Sequence, residues 1–121
     1  MGPAGERLAA RRLRRAGLRI LARNVRRPYG EIDLVALAPD RRTIVFVEVK
    51  TRAVDGSAPA PPPEAAITAR KRATLLRLAH DVSRRRGWAG RPLRIDVVAI
   101  DWPASGPPII RHHEDAIRPG R

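Results

Sequence analysis

The stretch that decides the fold is Gly30–Arg52, with the sequence GEIDLVALAPDRRTIVFVEVKTR. Its composition predicts two β-strands, Glu31–Leu37 and Thr43–Thr51, because β-branched and apolar residues recur in both. The residues between them, Pro39–Arg42, favour a turn, since proline fixes φ and aspartate hydrogen-bonds its own backbone. The sequence therefore predicts a β-hairpin at the centre of the chain.

Polar residues occupy defined faces of this hairpin. Side chains alternate between the two faces of a strand. The first strand is predicted to carry Glu31, Asp33 and Val35 on one face and Ile32, Leu34 and Ala36 on the other. The second strand is apolar on both faces for most of its length, which is typical of a central, buried strand. Burial is costly for Glu48 and Lys50, at its far end, unless they pair or bind a cation.

These residue types also carry chemistry. Carboxylates that converge from paired strands, here Asp33 and Glu48, form an oxygen-rich site suited to Mg²⁺ or Mn²⁺. Such a cation polarises a phosphate and lowers the pKa of a bound water. Lys50 is predicted to point into the same pocket and to orient that water. The alternative interpretation is structural: a surface salt bridge from Glu48 to Lys50 or Arg52.

Composition narrows the classes of partner. A chain of 121 residues is long enough for one domain with its own core. The 25 basic and 12 acidic residues give a net charge of +13, which favours nucleic acid as partner. Aromatic residues make up 3%, too few for base stacking to dominate binding. The absence of cysteine fits the cytoplasm, and no apolar run approaches the ~20 residues of a membrane span.

The N-terminal segment predicts a helix from Gly5 to about Gly17, with Glu6 on its inward stripe. The helix dipole is a sufficient structural reason for a carboxylate there. The functional alternative is a third acid facing the strand site. Arg11 and Arg15 lie on the opposite side, which is either a solvated face or a phosphate-binding one.

The segments on either side of the hairpin are less regular. Leu18–Arg23 predicts a strand, and Asn24–Tyr29 predicts a basic loop carrying Arg26 and Arg27. Residues 54–63 are rich in proline and alanine and predict a flexible loop. A second helix is predicted to begin at Pro63 or Glu64 and to run to about Arg86. By position alone, Lys71 on this helix is a solvated side chain rather than a catalytic one.

The C-terminal third predicts a buried strand, Arg91–Ile100, followed by a short edge strand at Ile109–His112. Asp96 is interpreted as the partner of a nearby arginine. The run from His112 to Asp115 matches no zinc-binding spacing and is interpreted as an exposed polar tail. The order of elements predicts an α/β sandwich: a central mixed sheet of four to five strands flanked by helices.

The pattern as a whole resembles the YraN-like family, uncharacterised protein family 0102. That family is similar to the restriction-endonuclease-like PD-(D/E)xK nucleases, and in pattern to the archaeal Holliday-junction resolvases. The specific motifs are GEIDL from Gly30 and VFVEVKTR from Val45, supported by Gly5-Glu6, Arg23-Asn24 and the strand around Asp96. Two departures are the Ser57–Pro62 segment, which replaces a short glycine-aromatic one, and Ile117, which stands where an aromatic is usual.

The resemblance implies roles for individual residues. Asp33 and Glu48 would hold Mg²⁺ or Mn²⁺, Lys50 would assist the attacking water, and Glu6 would contribute to the metal site. Glu31 would be either an outer-shell group or an alternative ligand. The candidates for nucleic-acid contact are Arg11, Arg15, Arg26, Arg27, Arg52 and Lys71.

The leading hypothesis is a cytoplasmic, metal-dependent endonuclease that hydrolyses DNA phosphodiester bonds, with branched DNA as a candidate substrate and a homodimer as a candidate assembly. The first alternative is a basic nucleic-acid-binding module with a vestigial nuclease site. The second is a partner of ribosomes or membrane surfaces that uses only its charge. Resemblance to a nuclease fold does not establish cleavage, because function depends on the site.

Overall fold

The computed structural model describes residues 2–55 and 67–118. The elements in chain order are α1 (Gly2–Arg15), β1 (Arg19–Arg27), β2 (Gly30–Leu37), β3 (Ile44–Val54), α2 (Ala69–Arg85), β4 (Leu93–Pro103) and β5 (Ile109–Ile117). The strands form one sheet in the order β1-β2-β3-β4-β5. β3 and β4 are parallel and the other neighbours are antiparallel. The predicted mixed sheet flanked by helices is therefore confirmed, with β3 at its centre.

Each face of the sheet carries one helix over its own apolar cluster. On the α1 face, Ala9, Ala10 and Leu13 pack with Leu34, Val45, Val47 and neighbouring residues. On the α2 face, Leu75, Leu78 and Val82 pack with Val35, Phe46, Val97 and neighbouring residues. This arrangement is a three-layer sandwich, in which β3 contributes buried side chains to both clusters.

The hairpin turn follows the predicted chemistry. Asp40 Oδ1 accepts hydrogen bonds from the backbone N–H of Arg42 at 2.8 Å and of Thr43 at 2.9 Å. Both bonds fix the chain direction between β2 and β3. The turn lies at the opposite end of β2 from the Pro28–Tyr29 turn that joins it to β1.

Three predicted boundaries are wrong. The basic loop Asn24–Tyr29 is mostly strand, since β1 continues to Arg27 and pairs with β2 along its length. The second helix begins at Ala69, because Thr68 is its N-cap: the Thr68 side chain accepts from the Lys71 N–H. The predicted loop at 54–63 begins too early, because Val54 is still the last residue of β3. Most of that loop, with Pro63 and Glu64, lies outside the described residues.

The last strand is also longer than predicted. β5 runs for nine residues and pairs antiparallel with β4. The predicted exposed tail at 112–115 is therefore wrong, since these residues lie within β5. Neither helix in the described ranges is long and apolar enough to span a membrane.

Candidate functional site

The candidate site lies where β2 and β3 separate. The ladder between these strands runs from Leu37 to Leu34, and its last pair is Leu34 with Val47. Beyond that pair a side chain replaces the backbone acceptor: Asp33 Oδ2 accepts a hydrogen bond from the Val49 N–H at 2.8 Å. Asp33 thus satisfies a backbone donor that the diverging strand leaves open. Its carboxylate is held in the gap between the two strands.

The backbone is irregular at the same level of the sheet. Asn24, on β1, has φ of 50°, a left-handed conformation that asparagine tolerates better than most residues. Across this level, Ile32 packs in the α2-side cluster whereas Leu34 packs in the α1-side cluster. Strict alternation would place both on one face, so the prediction that Ile32 and Leu34 share a face is wrong. The alternation of side chains between the two faces is therefore interrupted between these two residues, at Asp33.

Asp33 and Glu48 form a carboxyl pair in this gap. The pKa of Asp33 is raised to about 7; burial is the largest cause, and a hydrogen bond with the Glu48 carboxyl is the second. The bond from the Val49 N–H acts in the opposite direction. Glu48 is only 4% exposed. Near neutral pH Asp33 is therefore protonated for part of the time, because burial and the neighbouring Glu48 carboxylate disfavour its ionised form.

The cation that faces Glu48 comes from α2. Lys71 Nζ lies 3.2 Å from Glu48 Oε2, with the lysine side chain 35% exposed. The interpretation of Lys71 as a solvated side chain is therefore wrong. So is the alternative pairing of Glu48 with Lys50 or Arg52, since Arg52 Nε instead binds Asp101 Oδ1 at 2.8 Å. Lys50 is half-buried two residues beyond Glu48 and forms no ion pair within residues 2–55 and 67–118.

Glu6 reaches the site from α1 through Asn24. With its amide oriented so that nitrogen faces the carboxylates, Asn24 Nδ2 donates to Glu6 Oε1 at 2.8 Å and to Glu31 Oε1 at 3.1 Å. Glu6 and Asp33 both line a small cavity of about 120 Å³, together with Val49 and Thr51. Glu6 is thus near the carboxyl pair, and Asn24 links it to Glu31. We refer below to Glu6, Asp33, Glu48, Lys50 and Lys71 as the carboxylate site.

Close packing of α1 on β3 positions Glu6. Gly5 is buried, and a Cβ built there would meet the Thr51 Cγ2 at 2.6 Å. Only glycine allows this approach without a shift of one element. Gly30 allows an equally close approach on the other face of the sheet, where a Cβ would lie 2.7 Å from the Thr74 Cγ2 of α2. Both helices therefore lie tightly against the strands that carry the carboxylates.

The residues of the carboxylate site fit a hard divalent cation in chemical type. Asp33 and Glu48 offer carboxylate oxygens, and a cation between them would relieve the repulsion that raises the pKa of Asp33. Across the described ranges, however, no three His, Asp or Glu side chains are arranged to hold a metal ion together. Glu6 is bound to Asn24 instead of meeting the carboxyl pair. Its role as a metal ligand stays a prediction.

The arginines predicted to contact nucleic acid fall into two groups. Arg11 and Arg15 are exposed on α1. The other three pair with carboxylates: Arg26 with Glu31 at 3.6 Å, Arg27 with Asp81 at 3.6 Å, and Arg52 with Asp101 at 2.8 Å. Arg26 is largely exposed in its pair, whereas Arg27 and Arg52 are mostly buried. The structure therefore leaves Arg11, Arg15 and Arg26 the most accessible to a ligand.

Asp96 is structural, as predicted. It is fully buried, and both its oxygens accept from Arg94 at 2.9 Å. His112 Nε2 lies 2.8 Å from Asp96 Oδ2, and the Asp115 N–H donates to Oδ1. Burial alone raises the pKa of Asp96, but these hydrogen bonds outweigh it and hold the pKa below its ordinary value. The network fixes β5 on β4.

Two side chains that contact the carboxyl groups differ from the sequence predictions. The sequence predicts a loop at Asn24 and a solvated side chain at Lys71, whereas Asn24 binds Glu6 and Lys71 binds Glu48. The signal for Asn24 was its place before the GEIDL motif, since asparagine is among the few residues that adopt positive φ. The pairing of Lys71 carried no local signal, because Glu48 and Lys71 meet only through the tertiary fold.

The fold and the site define an α/β sandwich with acidic groups where two central strands separate. The sequence matches the model of uncharacterised protein family UPF0102 over residues 5–100, and the chain belongs to this family. Similar relatives include UPF0102 proteins of Symbiobacterium thermophilum, 48% identical over 101 residues, and of Mycobacterium avium, 45% identical over 102 residues. These alignments cover 84% and 83% of this chain and 81% and 76% of the relatives. A UPF0102 protein of Moorella thermoacetica is 46% identical over 99 residues, 82% of this chain and 78% of the relative.

Proposed function

We propose that the protein is a metal-dependent endonuclease that acts on DNA and is related to the PD-(D/E)xK nucleases. The observation that carries the proposal is the carboxyl pair of Asp33 and Glu48 in the gap between two central strands, with Lys50 two residues beyond. The order Asp33, then Glu48-Val49-Lys50, fits the motif of that superfamily. The basic charge of the chain supports a polyanionic substrate.

Each group of the site has a distinct part in this proposal. Asp33 and Glu48 would hold Mg²⁺ or Mn²⁺, which when bound polarises the scissile phosphate and lowers the pKa of a water. Lys50 carries a half-buried ammonium that can orient the attacking water and offset charge on the phosphate. Lys71 balances the charge of Glu48 in the free protein. Glu6, held by Asn24, supplies further negative charge beside the pair.

The test is cleavage of labelled DNA in Mg²⁺ or Mn²⁺, with junction, flap, single-stranded and duplex substrates run in parallel. We expect cutting of at least one substrate by the native protein and loss of cutting in Glu48→Ala and Lys50→Ala, with folding and most DNA binding retained. An Arg42→Ala variant, changed in an exposed turn away from the site, serves as the control. Unchanged cutting by Glu48→Ala would contradict the proposal.

A second candidate function is supported by the Lys71–Glu48 ion pair. This contact already balances the charge of the buried Glu48, and the described residues hold no three-ligand metal group. Such an arrangement fits a nucleic-acid-binding module in which the acidic residues only stabilise the fold. That module would bind DNA equally well with and without divalent metal, and Glu48→Ala would leave its affinity unchanged.

A further inference from the structure

A second group of charged residues lies at the far end of α2. It comprises Arg27, Arg77, Asp81, Arg84 and Arg85, which together with Pro28, Tyr29 and His80 line a pocket of about 440 Å³. We call it the arginine pocket. Asp81 is ten residues beyond Lys71 on the same helix, or about 15 Å along its axis. Substitutions in the arginine pocket therefore leave the contacts of the carboxylate site in place.

Asp81 organises the arginine pocket. It accepts a hydrogen bond from the Tyr29 hydroxyl at 2.7 Å and one from Arg85 Nε at 3.1 Å. Arg27 and Arg84 also approach its carboxylate, at 3.6 and 3.5 Å. Three guanidinium groups are thus drawn from β1 and α2 toward a single carboxylate. Asp81 is the only acid that lines the pocket among the described residues.

Arg77 adds a fourth guanidinium, for which the part of the chain that the structure describes offers no carboxylate partner. Its guanidinium carbon lies 3.7 Å from the centre of the Tyr29 ring, a cation–π contact that holds the side chain in place. Arg77 is exposed and forms no ion pair within residues 2–55 and 67–118. Four arginines against one aspartate leave an excess of three positive charges in the pocket. Guanidinium groups offer paired N–H donors that match the oxygens of a phosphate.

We propose that the arginine pocket binds a backbone phosphate of DNA, as an anchoring site distinct from the carboxylate site. This inference rests on the proposed function for its choice of ligand. A duplex that reaches the carboxylate site presents one phosphate per strand for about every 3.4 Å of its helix axis, so phosphates are also available at the distance of the pocket. Tyr29 fixes Arg77, and Asp81 fixes Arg85, so little side-chain freedom is lost when the phosphate binds.

The experiment is the affinity of the full chain for a short fluorescent DNA duplex, measured by anisotropy over a range of salt concentrations. Arg77→Ala and Arg85→Ala are compared with Arg42→Ala, which removes the same charge from the turn at the other end of β2. We expect each pocket variant to weaken binding by roughly fivefold to tenfold and to reduce the salt slope by about 1, and Arg42→Ala to change affinity less than about twofold. Circular dichroism checks that all variants fold.

Failure of this inference is distinct from failure of the nuclease proposal. If Arg77→Ala and Arg42→Ala weaken DNA binding equally, the arginine pocket is not a phosphate-binding site. That result would leave the nuclease proposal untouched. Loss of affinity confined to the pocket variants, in a protein that never cleaves DNA, would support the pocket and contradict the nuclease. Absence of DNA binding by the native protein would overturn both.

Discussion

The ammonium of Lys71 lies 3.2 Å from the carboxylate of Glu48, which is buried in the centre of the sheet. This contact joins the first turn of α2 to the strand that carries the predicted catalytic residues. In the metal-free protein the Lys71 ammonium supplies positive charge beside Glu48, where the proposed function requires a metal cation. We therefore expect this ion pair to stabilise the fold, and the proposed metal site shares its Glu48.

The first prediction concerns this pair. Lys71→Met leaves Glu48 buried without its cation, so we expect a loss of about 2 kcal/mol in the free energy of unfolding, less than for a fully buried pair because Lys71 is partly exposed. Urea denaturation measures the change. Lys50→Met is the control, because Lys50 has no carboxylate partner in the described part of the chain. It should reduce the free energy of unfolding by less than Lys71→Met does. Equal losses in both variants would show that the pair is not what stabilises the fold here.

The second prediction is a pH dependence due to Asp33 in the metal-free protein. Its pKa rises from an ordinary value of 3.8 to about 7 in the fold, so the folded state holds more protons than the unfolded state between these values. Stability should therefore fall as pH rises from about 4 to about 7. Asp33→Asn keeps an acceptor for Val49 but cannot ionise. We expect it to exceed the native protein in stability at pH 8 by about 1–2 kcal/mol and to lose this advantage at about pH 4.

Urea denaturation at both pH values measures the effect of Asp33→Asn. Arg42→Ala, in the exposed turn, serves as the control and should show no such dependence. A constant difference between Asp33→Asn and the native protein at both pH values would mean that Asp33 does not hold its proton in the fold.

The third prediction concerns the approach of α1 to β3. Gly5→Ala improves helix propensity by about 1 kcal/mol but drives a Cβ to 2.6 Å from the Thr51 Cγ2. Overpacking of this kind costs more, and we expect a net loss of about 1–2 kcal/mol in thermal or urea unfolding. Thr51→Ser removes the clashing methyl group. The double variant should therefore be more stable than Gly5→Ala alone. If its loss of stability instead equals the sum of the losses in the two single variants, the contact between Gly5 and Thr51 is not tight.

The fourth prediction concerns Asp96. Because hydrogen bonds with His112 and Arg94 help to lower its pKa in the fold, its ionised form stabilises the protein above the ordinary pKa of 3.8. That stabilisation is lost as pH falls through the lower folded pKa. Asp96→Asn should cost about 2 kcal/mol at pH 7 and progressively less below about pH 4. A cost that is as large at pH 3 as at pH 7 would assign the effect to packing instead of charge.

Local patterns predicted much of this fold. The GEIDL and VFVEVKTR motifs indicated two paired central strands, and the Asp40 turn formed as its chemistry requires. The strands and the turn depend on residues that are neighbours in the sequence, so a segment of a few residues is enough to predict each of them. Asp96 was also correctly interpreted as the partner of an arginine, since Arg94 is two residues away.

The errors share a different physical cause. Glu48 and Lys71 are far apart in the sequence, so their pairing depends on how α2 docks on the sheet. The continuation of β1 through Asn24 depends on a left-handed residue within a strand, which breaks the alternation that a pattern can detect. The convergence of Asp33 and Glu48 could be predicted from the sequence, because it follows from strand pairing, whereas the contacts of Lys71 and Asn24 could not.

The central claim is that Asp33 and Glu48 form a metal site, and Mn²⁺ binding measured by calorimetry tests it most directly. The account predicts that one Mn²⁺ binds per chain, that binding releases protons near neutral pH because Asp33 must ionise, and that Asp33→Asn and Glu48→Gln each abolish it. Absence of binding by the native protein, or equal binding by both variants, would contradict the account and favour a nucleic-acid-binding module.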